Sequence, residues 1–348
     1  MRNPVLNEDF HKIANSQLNI KKFAKKTILI SGAGGMIGGY LTEFFLYLNE
    51  TANLKIKVIA QVRDEKKAQK RFVSYRKRAD FVLKEQNVIY PIKIAGGINY
   101  IIHAASHASP KYFAIDPVST LLPNVIGTKN LLEIARTKKA EGFLFLSSGE
   151  IYGFLDKNQF PTKETDCGRI DPINIRSCYG ESKRLGESMC ISYLKQYAVP
   201  SKIARLFHTY GPGLDLEDGR VFADFTKDII EGKNIVINSQ GRAKRSFCYL
   251  SDATEGLLTV LLKGNSGEAY NVGNKKEEVT IKELAQRLVK IFPEKKLKII
   301  FKPNDQKTGY LPSSIERSCP DTAKIERLGW FTKHTIENGF RRTVLSFT

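Results

Sequence analysis

The amino-acid sequence predicts an α/β fold, a doubly wound parallel sheet followed by a smaller C-terminal lobe. Three observations carry this. Short β-rich apolar runs alternate with segments of helical period through the first half of the chain, a glycine-rich turn joins the first run to the first helix, and the alternation fades after Tyr210, where Gly211-Pro212-Gly213 breaks the chain. Parallel strands require this alternation, because each return to the same sheet edge takes a crossover, usually a helix.

Taken in order, residues 1–25 show weak helical periodicity and no recognisable chemistry, and are read as an N-terminal extension. Residues 26–31 read as a strand, 36–48 as the helix after it, 55–62 as a second strand and 99–103 as a later one. A long helix is predicted over 120–139, a buried strand over 142–147, a helix over 177–197 and a strand over 201–207. Residues 26–207 thus form the sheet domain. Residues 208–348, with helices predicted over 221–231 and 280–291, form mainly the lobe, some segments of which are expected to return to the sheet domain.

A chain of 348 residues has room for this arrangement. Hydrophobic residues at 42% and charged residues at 26% are globular proportions, no apolar run approaches the ~18 residues of a membrane helix, and the N-terminus lacks the apolar core of a secretory signal. A cytoplasmic enzyme is expected. The five cysteines (Cys167, Cys178, Cys190, Cys248, Cys319) are odd in number and lack metal-knuckle spacing, so they read as reduced and mostly structural, with no metal site. The net charge of +19 raises the question of nucleic acid or membrane, but the lysines and arginines are spread from Lys21 to Arg342. The one dense stretch, 63–78, is interrupted by Asp64 and Glu65. A solvated basic surface and an anionic small molecule are expected, with neither a nucleic-acid nor a membrane partner.

The segment Ser31-Gly32-Ala33-Gly34-Gly35-Met36-Ile37-Gly38-Gly39 lies between strand and helix. A dinucleotide pyrophosphate can rest there on the helix N-terminal amides of Met36, Ile37 and Gly38, where side chains would block it. The glycines Gly32, Gly35 and Gly38 form a GxxGxxG set rather than GxGxxG, because Ile37 falls at the last position of the latter. This is a Rossmann-type turn for NAD(P)(H). The second strand ends Ala60-Gln61-Val62-Arg63. Arg63 suits the extra phosphate of NADP and Asp64 a free ribose, so the choice stays open with a lean to NADP. Asn87 and Val88 fall where the adenine would be flanked.

Tyr179-Gly-Glu-Ser-Lys183 sets a phenol and an ammonium four residues apart, on one face of a predicted helix. A free tyrosine, with a pKa of about 10, is a poor base. Lowering it by two to three units takes roughly 3 to 4 kcal/mol of phenolate stabilisation, which Lys183 and an oxidised nicotinamide can supply. Ser148, at the carboxyl edge of the 142–147 strand, can hold a reacting hydroxyl or can cap its own loop.

Together, Gly32 to Gly38, His103-Ala104-Ala105-Ser106, Ser148 to Gly153, Tyr179 to Lys183 and Arg205 to Pro212 resemble the ordered landmarks of the nucleotide-sugar epimerase, dehydratase and decarboxylase family of extended short-chain dehydrogenases/reductases, over residues 25–330. The phrases from His103 to Pro110, Asp116 to Val118, Asn124 to Thr128 and Arg176 to Tyr179 most resemble UDP-glucuronate decarboxylases. The resemblance implies that Ala104, Ala105 and Ser106 lie against the cofactor, that Tyr179 deprotonates a hexose C4 hydroxyl, and that Ser109, Glu150, Arg176, His208, Arg220 and Arg245 face a nucleotide-diphosphate sugar. With a C6 carboxylate, the C4 ketone is a β-keto acid that loses carbon dioxide, and Glu150 and Arg245 match the positions that assist. It also implies a homodimer through helices 120–139 and 177–197. Two departures stand out: His208 replaces an asparagine, and Arg63 replaces an acidic residue. The second favours an alternative, NADPH-dependent reduction of a nucleotide 4-keto-6-deoxyhexose. A 4-epimerase is also compatible, a 4,6-dehydratase less so because Gly149 precedes Glu150, and a non-catalytic cofactor sensor would have no use for Ser148, Tyr179 and Lys183 together.

Overall fold

The computed structural model describes residues 2–302 and 315–348. Helix α1 (Pro4–Ala14) precedes strand β1 (Thr27–Ser31), and the glycine turn leads into α2 (Met36–Ala52), β2 (Lys57–Val62), α3 (Glu65–Phe72), β3 (Phe81–Glu85) and β4 (Tyr100–His103). Two short helices follow, α4 (Pro110–Ile115) and α5 (Pro117–Leu122), then a π-helical turn at Pro123–Gly127, α6 (Thr128–Thr137), β5 (Gly142–Ser148), α7 (Ser177–Tyr197) and β6 (Ser201–Leu206). The lobe begins with β7 (Thr209–Tyr210), α8 (Val221–Ile230), β8 (Ile235–Ile237), β9 (Lys244–Ser246) and β10 (Cys248–Tyr249). The chain then runs through α9 (Leu250–Lys263), β11 (Ala269–Val272), β12 (Glu278–Thr280), α10 (Ile281–Ile291), β13 (Ile299–Phe301), β14 (Arg317–Ser318), α11 (Ala323–Glu326) and α12 (Ile336–Leu345).

Seven strands form one parallel sheet in the order β11-β6-β5-β4-β1-β2-β3. Its edge strand β11 comes from the C-terminal half and pairs with β6 from Ala269↔Ile203 to Val272↔Leu206. Chain order reverses between β1 and β4, and a doubly wound sheet opens its ligand crevice outside the carboxyl ends at such a switch point. Those ends here are Ser31, His103 and Ser148. The interior strands are buried on both faces, as layers of helix above and below require, which is why they read as continuous apolar runs.

Three elements differ from their sequence reading. The helix expected over 120–139 starts at Pro117, ends at Thr137 and is interrupted by the π turn, whose first residue, Pro123, has no N–H to give the ladder. Strand β3 is an edge strand with one buried residue, Phe81, so its sequence lacks an apolar run. Helix α9 is buried continuously from Leu250 to Leu261 and therefore shows no amphipathic stripe.

The N-terminal extension is structured. Asn3 caps α1 by accepting from the Val5 N–H, Pro4 occupies its first turn, and Phe10 packs edge-on against Tyr40 and Phe44 of α2. Asp9, fully buried, accepts hydrogen bonds from Tyr40 of α2 and Tyr249 of β10 and pairs with Arg342 of α12 at 2.7 Å. One carboxylate thus ties the cofactor-turn helix to the lobe.

Candidate active site

The glycine turn is shaped for close backbone approach. Gly32 has φ +68°, and a Cβ there would lie 2.6 Å from the Ala105 backbone; at Gly38 it would lie 2.4 Å from the Gly32 carbonyl oxygen. At Gly35 a Cβ would meet nothing nearer than 3.4 Å, and no side chain caps α2 there. The first amides of α2, those of Met36, Ile37 and Gly38, have no upstream helical carbonyl, so the turn fits a pyrophosphate. Beneath it, Ser31 Oγ bonds His103 Nδ1 at 2.8 Å and accepts from the Ala105 N–H at 3.3 Å. His103 Nε2 lies 3.2 Å from the Pro123 carbonyl, and burial, with the Lys183 charge, pushes this imidazole down to about 3. It is a neutral strut joining β1, β4 and the π turn.

At the end of β2, Arg63 is exposed and its Nη1 donates to His107 Nε2 at 2.8 Å. Asp64 is engaged elsewhere: its Oδ1 caps α3 by accepting from the Lys67 N–H at 3.0 Å. Asn87 accepts from the Ile89 N–H, while Val88 is buried against Gly127. Arg71, which the sequence reading passed over, lies along the turn: it pairs with Glu43 of α2, donates to the Gly35 carbonyl at 3.3 Å and rests against Gly39, where a Cβ would lie 2.3 Å from it.

Over β4 and β5 the chemistry-bearing side chains converge. Helix α7 buries Tyr179 and Lys183 together. Ser148 and the Arg220 charge favour the Tyr179 phenolate, Glu150 opposes it, and burial outweighs them all, pushing the phenol up to about 12, while the nearby Ser106 hydroxyl is buried with no hydrogen-bond partner among the described residues. Ser148 Oγ also accepts from the Glu150 N–H at 3.2 Å, so this hydroxyl caps its own loop. Lys183 Nζ donates to the Leu146 carbonyl at 2.6 Å and lies 4.8 Å from the Phe145 ring centroid; burial pushes it down to about 7. Phe113 of α4 stacks on the Tyr179 ring, and Arg176 lies over the ring of Phe113.

The anion-facing residues come from both halves. Arg220 forms a two-point pair with Asp218, whose carbonyl accepts from Ser109 Oγ, so the loop before α8 is fastened over the loop after β4. Arg220 is close enough to Tyr179 and His208 to lower both. His208 is held well below the usual imidazole value by burial, then by Arg245 and Arg220, and its Nδ1 is buried with no partner among the described residues. Arg245 is buried and donates to the carbonyls of Lys244, Glu316 and Ile315, bracing β9 against the segment leading to β14. Ser106, Ser148, Glu150, Tyr179, Lys183, His208, Arg220 and Arg245 thus form one connected cluster beyond the carboxyl ends of β4, β5 and β6, while Arg63 follows β2 and Asn87 and Val88 follow β3. Among the described residues no group of three or more His, Cys, Asp or Glu is placed to hold a metal ion, and no helix is long and apolar enough to cross a membrane.

A doubly wound sheet with a glycine turn after its central strand, a serine ending β5 and a Tyr-Lys pair opening α7 defines a short-chain dehydrogenase/reductase of the extended type. The chain belongs to the NAD dependent epimerase/dehydratase family, which residues 28–273 match. It is 33% identical over 331 residues to UDP-glucuronic acid decarboxylase 3 of Arabidopsis thaliana, covering 93% of this chain and 90% of that protein. It is also 33% identical over 325 residues to UDP-glucuronic acid decarboxylase 1 of Danio rerio, covering 93% and 73%. Among solved structures, UDP-glucose 4-epimerase from Thermotoga maritima, determined with UDP-glucose, superposes with a TM-score of 0.76 at 25% identity, covering 92% of this chain and 98% of that one.

Proposed function

We propose that the enzyme binds UDP-glucuronate, oxidises its sugar at C4 and releases C6 as carbon dioxide. The observation that carries this is the buried Tyr179 and Lys183 pair with Ser148, Glu150, Arg220 and Arg245 around it, in a chain whose relatives of matching length bear the decarboxylase name.

Ser148 holds the C4 hydroxyl against Tyr179, which removes its proton. A bound nicotinamide dinucleotide supplies the hydride acceptor, and on reduction the donor. The resting phenol and amine, shifted to about 12 and about 7, are both held toward their neutral forms by burial. Proton movement that makes a phenolate beside an ammonium is therefore mutually stabilised, in a setting where charges are worth more than in water. Arg220 and Arg245 provide the positive charge that a diphosphate needs, and neutral His208 beside them offers a hydrogen bond without adding charge. Glu150, half-buried beside Tyr179, is placed to exchange a proton with the enolate left by carbon dioxide loss. Gly149 leaves no acidic pair for dehydration.

Incubation with UDP-glucuronate followed by mass spectrometry tests the reading. A product lighter by carbon dioxide supports it, and an unchanged mass rejects decarboxylation.

A second reading is favoured by one observation: Arg63, steadied by its hydrogen bond to His107, follows β2 with its charge exposed while Asp64 is occupied as a helix cap. That suits NADPH and reduction of a nucleotide 4-keto-6-deoxyhexose. Tightly retained NAD in the purified protein supports the decarboxylase; an empty site that takes NADPH supports the reductase. We further place the enzyme in the cytoplasm, where its five unpaired thiols are stable, and read it as a homodimer through α7 and the helical run 117–137, where Val118 of α5, Ile126 of the π turn and Leu185 of α7 are exposed. A monomer by sedimentation at micromolar concentration rejects the dimer.

A further inference from the structure

Tyr179, Lys183 and Glu187 follow at intervals of four along α7 and share one face. Glu187 is not a solvated member of that helix: its side chain is 12% exposed, it accepts from Ser147 Oγ at 2.5 Å, and it takes both Nε and Nη2 of Arg205 at 3.0 and 2.7 Å. Ser147 is the neighbour of Ser148 on β5, and Arg205 lies on β6. Lys183, 2% exposed, makes no ion pair among the described residues. The titratable or charged groups around it are His103 from β4, Tyr179 and Cys190 on α7, and Glu187 with Arg205 behind it. Glu187 is the one carboxylate in that set, and a buried ammonium without a compensating charge is costly.

We propose that Glu187 is a positioning residue for the Tyr179 and Lys183 pair: its carboxylate, fixed by Ser147 and Arg205, favours the Lys183 ammonium against its burial, and Arg205 limits how strongly it does so. Burial pulls Lys183 down, and Glu187 is the largest influence acting against it. Arg205, whose charge sits against that carboxylate, should act on Lys183 the other way, although the two form one ion pair, and a purely structural brace has no such signature. The inference rests on Tyr179 and Lys183 being the acid–base pair, but its test needs no substrate.

The test is a titration of the Lys183 Cε resonance in protein carrying carbon-13-labelled lysine, assigned by its absence in Lys183→Met. Glu187→Gln is expected to lower the Lys183 midpoint by about one unit or more, Arg205→Met to raise it by a similar amount, and Glu187→Asp to restore it. Cofactor binding and thermal midpoint serve as folding controls, and either charge-removing variant decides the question alone if the other does not fold. A midpoint that stays put, or moves the same way in both, overturns the proposal. Failure to turn over UDP-glucuronate leaves the titration untouched and counts against the proposed function instead.

Discussion

The ring of Phe113 lies on the ring of Tyr179, with 5.2 Å between centroids and 15° between planes. Phe113 is buried, so this short helix between β4 and α5 holds one flat face of the reacting phenol. Phe113→Ala is expected to cost about 3 kcal/mol in stability through the cavity it leaves. It is also expected to lower kcat at least tenfold while the cofactor still binds, because a loosened phenol loses the alignment that proximity catalysis needs. Thermal unfolding and steady-state kinetics measure both, and an unchanged kcat contradicts the alignment role.

Tyr179→Phe keeps the stack and removes only the hydroxyl. Turnover is expected to fall by about a hundredfold or more, the range for loss of a positioned acid or base. Cofactor affinity should change little, since the pyrophosphate turn lies on another element. Equilibrium binding beside kcat separates the two.

Lys183 gives a pH signature. Its amine sits at about 7 when folded and near 10.5 when unfolded, so between those values the unfolded chain binds more protons and stability rises with pH. The contribution is fully present above the unfolded value and lost as pH falls through the folded one. Tyr179 acts higher: raised to about 12 from 10, its contribution is present below pH 10 and lost as pH rises toward 12. Lys183→Met should therefore stabilise the cofactor-free protein most at or below pH 7, by a few kcal/mol on the order expected for a buried ammonium, with the gain fading toward pH 10. Denaturant melts across that range check it, and a pH-independent difference contradicts it.

Legibility in the sequence followed burial. Strands β1, β4 and β5 were readable because both faces are covered, and α7 because its ends match its pattern, from Ser177 to Tyr197. Edge strand β3 and the wholly buried α9 carry no diagnostic period. Tyr179 and Lys183 were found because helical spacing alone puts them together. Phe113 and Arg71 were not, because their contacts depend on how separate elements pack; Arg71 left a faint trace in the extra glycine, Gly39, that makes room for it.

Asp9 was equally invisible, since its partners Tyr249 and Arg342 lie hundreds of residues away. Asp9→Ala leaves a guanidinium and two phenols without their shared acceptor and should cost about 3–5 kcal/mol, as for one half of a buried ion pair. Limited proteolysis should then release the N-terminal segment early; resistance equal to that of the parent would show that α1 is held without it.

The central claim is that the first bond broken at the sugar carbons is the C4–H bond, with Tyr179 taking the hydroxyl proton. UDP-glucuronate carrying deuterium at C4 tests it most directly, in a single turnover with saturating cofactor. Hydride removal at C4 gives a slower approach to reduced nicotinamide with the labelled sugar, and a reduction slowed by about a hundredfold or more in Tyr179→Phe. Equal rates from labelled and unlabelled sugar, with the same product, would contradict it.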